Sequence, residues 1–170
     1  MGNIHSVKKA LERLDEETIL ITNSLQTKEC KALILPGVGS FDPAMASLNE
    51  SGLISNIKNW IKSGKSFLGI CLGLQLLFEF SDEGTIKGLG IVKGQVKKIP
   101  QISDLRIPHI GWCNLNPINK NSLLNKKELN NWVYFVHSYY ALPSNTNLIS
   151  AYVNYGAVKL TAMIEKDNLL

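Results

Sequence analysis

The stretch "GICLG", residues 69–73, places a cysteine between two glycines inside an apolar run. G-x-C-x-G at a strand-to-helix junction is the cysteine counterpart of the G-x-S-x-G nucleophile elbow. There the nucleophile holds a strained backbone conformation and the flanking glycines relieve crowding against neighbouring backbone. That geometry has two chemical consequences for Cys71. A thiol at a helix N-terminus feels the positive end of the peptide dipoles, which lowers its pKa and favours the thiolate. The amide of the next residue, Leu72, points to where an oxyanion would form. A structural reading competes: free cysteine is among the most buried residue types, and "FLGICLGLQLLF" would serve equally as core.

A second segment adds weight to the catalytic reading. "LPGVGSF", residues 35–41, follows another strand of the same alternating pattern, and its two glycines allow a tight turn that aims backbone amides at a shared point. Sites in open α/β sheets form beyond the carboxyl ends of strands. An elbow thiol and an amide-rich loop at one sheet edge supply a nucleophile and two oxyanion donors, the equipment for acyl transfer.

The elements that must position these groups alternate between strand and helix. Residues 6–14 have helical spacing, with Val7, Ala10, Leu11 and Leu14 on one face and Ser6 available as N-cap. "TILIT" (residues 18–22) and "KALIL" (31–35) read as strands. A helix begins at Asp42 and Pro43, and apolar residues continue at helical intervals through Leu53, Ile57, Trp60 and Ile61 until Gly64. "SFLGI" (66–70) is then a strand and "LGLQLLFEF" (72–80) a helix. This order predicts an α/β fold with a mostly parallel central sheet flanked by helices. After Gly84 the chain becomes strand-rich, with "IVKGQVKKI", "WVYFVHSYYAL", "LISAYV" and "VKLTAMI", while "LLNKKELNN" (123–131) reads as a surface loop or short helix. No repeat or linker divides residues 1–170, so one domain is expected.

Composition narrows the function classes. The net charge of +4 comes from scattered lysines, which read as solvated surface rather than a nucleic-acid patch. The three cysteines, Cys30, Cys71 and Cys113, form no C-x-x-C pair, so a reducing, cytoplasmic setting is expected, without a disulfide framework or zinc cluster. No signal peptide or membrane-length apolar run appears, and no membrane association is expected. "SGKS" (63–66) lacks the earlier glycine of a phosphate-binding loop, having Asn59 there, and lies between helix and strand, the reverse of the required order. "GLGIVKG" places its last glycine one residue late for a dinucleotide fingerprint. The histidines His5, His109 and His137 show no metal-binding spacing; neither metal nor cofactor is expected.

With these residues in hand, the sequence resembles the class I glutamine amidotransferases, and among them the glutaminase subunits of imidazole glycerol phosphate synthases. The resemblance runs through "GNIHSVKKAL", "LPGVGSFDPAM", "GICLGLQLLFE", "SDEGTIKGLGI", "IPHIGWCNL", "YFVHSYYA" and "LTAMIEKDNL". It implies that Cys71 attacks the carboxamide of glutamine, that Val38, Gly39 and Leu72 form the oxyanion hole, and that Gly37, Gln75, Glu83, His137, Ser138 and Tyr139 bind the substrate. It further implies a heterodimer with a (β/α)8-barrel cyclase that receives the ammonia, with Asn3 and Trp112 at the interface; core packing is the other reading of Trp112. Two departures go with it. The family has a strand before the segment matching Gly2-Asn3, and its general base and orienting carboxylate follow the segment matching "KDNLL". The expectation is thus a glutaminase truncated at both ends and inactive or nearly so as given. Alternatives are a non-catalytic partner-binding subunit, a glutaminase serving a sugar amidotransferase, and a stand-alone cysteine hydrolase.

Overall fold

The computed structural model describes residues 4–102, 105–118 and 132–170. Helix α1 (Ile4–Glu12) includes Ser6 within its first turn rather than at its cap, and Leu14 lies beyond its end, 70% exposed. Residues 18–22 form no strand, contrary to the sequence expectation. A strand needs a neighbour for its amides, and here the Gln26 side chain accepts the amides of Thr22 and Asn23 at 2.8 and 3.1 Å. Together with the Asn23 cap on Leu25, this turns the chain into a 3-10 segment, Ser24–Glu29.

The strand expected at residues 31–35 is β1 (Ala32–Gly37). The single long helix expected after Asp42 is two: α2 (Phe41–Glu50) and α3 (Ile54–Lys62), broken where Gly52 adopts a φ of +70°. Then come β2 (Ser66–Cys71) and α4 (Leu72–Gln75). Helix α4 stops well short of residue 80, because the chain folds back into turns and the strand β3 (Phe80–Ser81).

Strands β1 and β2 are parallel, in a register that sets Leu33 beside Phe67 and Gly37 beside Cys71. The last residues lie along β2 as well: Phe67 N–H donates to the Asn168 carbonyl, and Leu170 N–H to that of Phe67, both at 2.9 Å. Apolar side chains from these strands and the surrounding helices meet in one core that includes Leu33, Phe41, Met45, Trp60, Phe67, Leu72, Leu77 and Phe78. Burial of this size is what holds short two-stranded pairings in place.

The second half is strand-rich, as its glycine punctuation suggests. It contains β4 (Gly94–Lys98), β5 (His109–Asn114), β6 (Asn116–Pro117), β7 (Trp132–His137), β8 (Tyr139–Pro143), β9 (Ile149–Tyr155) and β10 (Val158–Ile164). These pair as β3-β4-β8, β10-β9-β6 and β5-β7. Ile99, Val153 and Leu160 centre a second, smaller core. The loop or helix expected at residues 123–131 lies outside the described residues. Among the described residues, no helix is long and apolar enough to cross a membrane.

Candidate active site

Cys71 ends β2 with φ 56° and ψ −115°, a positive-φ conformation outside the left-handed helical region and rare for a side-chain-bearing residue. Strain of this kind persists only where the surroundings enforce it. The enforcement comes from α4 lying directly on the sheet. A Cβ built on Gly73 would stand 1.7 Å from the Leu35 carbonyl oxygen, and one on Gly69 would stand 2.9 Å from the Leu74 backbone. Only glycine at both positions lets the helix approach β1 and β2 so closely, and that approach turns Cys71 outward. Cys71 is accordingly exposed while Leu72 behind it is buried. The sequence alternative of a core thiol is therefore set aside.

The electrostatics differ from the expected depression of the thiol pKa. Although the residue is exposed, partial burial of its surroundings pushes the Cys71 thiol up, and the Leu72 amide, which hydrogen-bonds to it, offsets this in part. Helix α4 has only four residues, so few peptide dipoles align behind the thiol. What the elbow supplies is one backbone donor, Leu72 N–H, held on the Cys71 sulfur.

The second loop enters through sheet register. Gly37 pairs with Cys71, which starts the Val38-Gly39 turn beside the thiol. Val38 is 47% exposed and Gly39 has φ +99°, with open space where a Cβ would be. The far end of this loop is held by two carboxylates. Glu83 Oε2 accepts the Phe41 amide at 2.8 Å. Asp42 accepts the amides of Thr85 and Ile86 at 2.9 and 3.0 Å and the Thr85 hydroxyl at 3.3 Å. The Thr85 amide, aided by the Ile86 amide and the Thr85 hydroxyl, holds the Asp42 carboxyl below its usual range, against an opposing effect of burial. Sequence reasoning took Asp42 only as a helix start and missed this clamp; an acidic residue next to a glycine loop was the available signal.

Gln75, one turn along α4 from Leu72, donates from Nε2 to the Tyr139 carbonyl at 3.3 Å. This brings Gln75 together with the segment His137, Ser138 and Tyr139. Ser138 is half-buried between β7 and β8, and its carbonyl accepts the Ile99 amide at 2.9 Å. His137 Nδ1 lies 2.9 Å from the Tyr139 carbonyl and Nε2 lies 2.9 Å from His109 Nδ1. Both ring nitrogens are thus engaged, and burial pushes the His137 and His109 pKa values down. That suits a structural or pocket-lining histidine, not the base for Cys71.

Trp112 is not core: it is 64% exposed and meets Tyr134 edge to face at 5.5 Å. Its sheet partner Tyr134 and the Ile110–Val136 pair are also more than half exposed, giving one apolar face on β5 and β7. Asn3 lies outside the described residues. Among the described residues, no group of three or more His, Cys, Asp or Glu side chains could hold a metal ion. Surface clefts of about 400 and 440 Å³ lie away from Cys71, one lined by Phe80, Gln95 and Leu142 and the other by Lys58, Ile61 and Lys166.

The chain is similar to known proteins along nearly its whole length. The family model "Glutamine amidotransferase class-I" matches residues 1–169. An imidazole glycerol phosphate synthase subunit HisH from Prochlorococcus marinus subsp. pastoris is 76% identical over 170 residues, spanning all of this chain and 83% of that protein. A protein of the same name from Synechococcus sp. strain CC9902 is 49% identical over 164 residues, covering 96% of this chain and 77% of its own length. A solved structure described as "Crystal structure of glutamine amidotransferase" superposes with a TM-score of 0.66 over 94% of this chain and 84% of its own; at 18% identity it shows the fold. A thiol on a glycine-flanked elbow, with a second glycine loop in register beside it, is thus found in a chain that matches one family along nearly its whole length, and the chain belongs to the class-I glutamine amidotransferases.

Proposed function

We propose that the chain is the glutaminase subunit of an imidazole glycerol phosphate synthase in histidine biosynthesis. It hydrolyses glutamine to glutamate and ammonia, and passes the ammonia to a (β/α)8-barrel cyclase with which it forms a heterodimer. The observation that carries this reading is the conformation of Cys71, φ 56° at the end of β2 with the Leu72 amide on its sulfur. The 76% identical relative, named as a subunit of that synthase, supports the pathway and the existence of a partner.

In this reading Cys71 Sγ forms a bond to the carboxamide carbon of glutamine. The carbonyl oxygen becomes an oxyanion facing the amides of Leu72, Val38 and Gly39, each such donor being worth roughly a hundredfold or more in rate. The C–N bond then breaks, the nitrogen takes the thiol proton and leaves as ammonia. Water adds to the glutamyl thioester, the C–S bond breaks, and glutamate departs as the thiol regains a proton. Gly37, Gln75, Glu83 and the His137–Tyr139 segment bind the substrate, with the Glu83 carboxylate suited to its α-ammonium.

A thiol whose pKa is pushed up needs a base at hydrogen-bond distance. Among the described residues no side chain makes such a bond to Cys71, and His109 and His137 are committed to each other. The 170 residues by themselves are accordingly expected to turn glutamine over slowly. The apolar face formed by Ile110, Trp112, Tyr134 and Val136 supports the cyclase contact, since an exposed patch of aromatic and aliphatic side chains suits a partner surface. The test is ammonia release from glutamine by the chain with and without the cyclase, alongside Cys71→Ala. Release that requires Cys71 supports the reading. Cyclase binding without any ammonia release from the complex would favour the non-catalytic partner-binding alternative instead.

A further inference from the structure

A second cysteine and two histidines lie behind the substrate residues on the inner face of β5 and β7. His109 and His137 are register partners across the two strands. His109 Nδ1 is 2.9 Å from His137 Nε2, and His109 Nε2 is 3.2 Å from Cys113 Sγ. His137 Nδ1 is 2.9 Å from the Tyr139 carbonyl, which also accepts from Gln75 Nε2. His109 is 1% exposed, its ring stacked on Phe135 at 5.3 Å and tilted against Tyr155 at 4.1 Å, so it cannot turn away.

The direction of every donor in this chain follows from one end. A carbonyl only accepts, so His137 Nδ1 carries the proton facing Tyr139. Burial keeps both rings neutral, so His137 Nε2 is a bare acceptor and His109 Nδ1 carries the next proton. His109 Nε2 is then also bare, and the Cys113 S–H is its donor. The tautomers of both histidines are fixed from the Tyr139 carbonyl to Cys113.

We propose that His109 and Cys113 are positioning residues of the glutamine pocket, acting through His137 to fix the Tyr139 carbonyl that holds the Gln75 side chain. This rests on the reading of Gln75 as a substrate-binding residue. Gln75 Nε2 gives one of its two N–H donors to Tyr139, and among the described residues its Oε1 meets no donor, which leaves that oxygen to present to the ligand. Without the His109 donor the His137 ring loses one of its two anchors, the Tyr139 carbonyl loses its fixed partner, and Oε1 loses its aim.

The test is a double-mutant cycle on glutamine affinity, read by titration calorimetry in protein carrying Cys71→Ala so that bound glutamine is not consumed. Gln75→Met removes the amide. His109→Phe keeps an aromatic ring against Phe135 and Tyr155 while removing the donor to His137. Each is expected to weaken glutamine about tenfold, the scale of one buried polar group left without its partner. The pair is expected to bind no worse than the weaker single variant, because both act on one interaction. Cys113→Ser, which retains a donor at His109 Nε2, is expected to bind within about twofold of the parent, with nitrogen NMR still reporting the Nδ1–H tautomer of His137. Penalties that multiply, or a folded His109→Phe protein that binds glutamine as tightly as the parent, overturn the inference alone. Unchanged affinity in Gln75→Met overturns the pocket reading and the inference with it. If His109→Phe does not fold, the cycle is run with Cys113→Ala, where about threefold weakening is expected and unchanged affinity overturns the inference.

Discussion

Gly73→Ala tests the elbow at its tightest point. The added Cβ would stand 1.7 Å from the Leu35 carbonyl oxygen and 2.8 Å from its carbon, where an ordinary C···O contact is about 3.3 Å or more. Neither partner can yield easily, since Leu35 sits mid-strand paired with Gly69 in β2. Helix α4 must therefore retreat from β1 by about 1.6 Å, the shortfall in that contact. Leu72 and Gln75 move with it, and with them the amide on the Cys71 sulfur. A misplacement of about 1 Å in a catalytic group costs on the order of a hundredfold in rate, or about 2.7 kcal/mol of activation free energy. Overpacking itself costs about 1–3 kcal/mol of stability, roughly 2–10 °C in melting temperature for a chain of this size. The assay pairs glutamine turnover in the cyclase complex with thermal unfolding, and Gly52→Ala is the control. Gly52 has φ +70° and open space around it, so alanine there brings backbone strain of about 1–2 kcal/mol without touching the elbow. The expectation is a loss of a hundredfold or more in turnover for Gly73→Ala and near-parental turnover for Gly52→Ala at comparable stability loss. Wild-type turnover in Gly73→Ala would refute the argument that close approach of α4 sets the nucleophile.

Four further outcomes are expected. Alkylation of Cys71 by iodoacetamide should follow a pH profile centred above the free-thiol value of 9.0, because burial outweighs the Leu72 amide; a midpoint below it would restore the activated-thiolate expectation. His109 and His137 have folded pKa values below the unfolded value of 6.5, so the unfolded chain binds protons more readily as pH falls past that point. Their contribution to stability is thus complete above pH 6.5 and lost on acidification toward the folded values, which melting between pH 8 and about pH 5 reads; a His109→Phe variant should show a flatter profile. Asp42→Ala releases the amides of Thr85 and Ile86 and loosens the Val38-Gly39 loop, lowering turnover about tenfold with a smaller change in KM for glutamine. Trp112→Ala should weaken cyclase binding about a hundredfold while leaving glutamine affinity intact, as surface plasmon resonance and calorimetry would show.

The parts of the site that were legible in the sequence are those written in local glycine patterns. Gly69 and Gly73 announce a close helix-on-strand approach, and "PGVGSF" announces a turn at a strand end, because only glycine permits either. The parts that were not legible depend on partners far along the chain. The strand expected at residues 18–22 has the right side chains, yet Gln26 takes the amides at its end. The break between α2 and α3 hides in an unbroken apolar period, with Gly52 as its one local sign. The Asp42 clamp joins residues more than forty apart, and the His109–His137 pair exists only through the β5–β7 register. Spacing reveals that His109 and Cys113 share a strand face, but not what stands opposite them. The thiol's electrostatics were not legible because the burial that pushes its pKa up comes from packing around the elbow, and the helix expected to run to residue 80 stops at Gln75.

The most direct measurement is mass spectrometry of the protein quenched in acid after exposure to glutamine long enough for the slow turnover expected of these residues. A glutamyl adduct on the peptide carrying Cys71, absent from those carrying Cys30 and Cys113 and abolished by Cys71→Ala, is the predicted result. Ammonia release undiminished in Cys71→Ala, or an adduct confined to another cysteine, would contradict the assignment of Cys71 as the nucleophile.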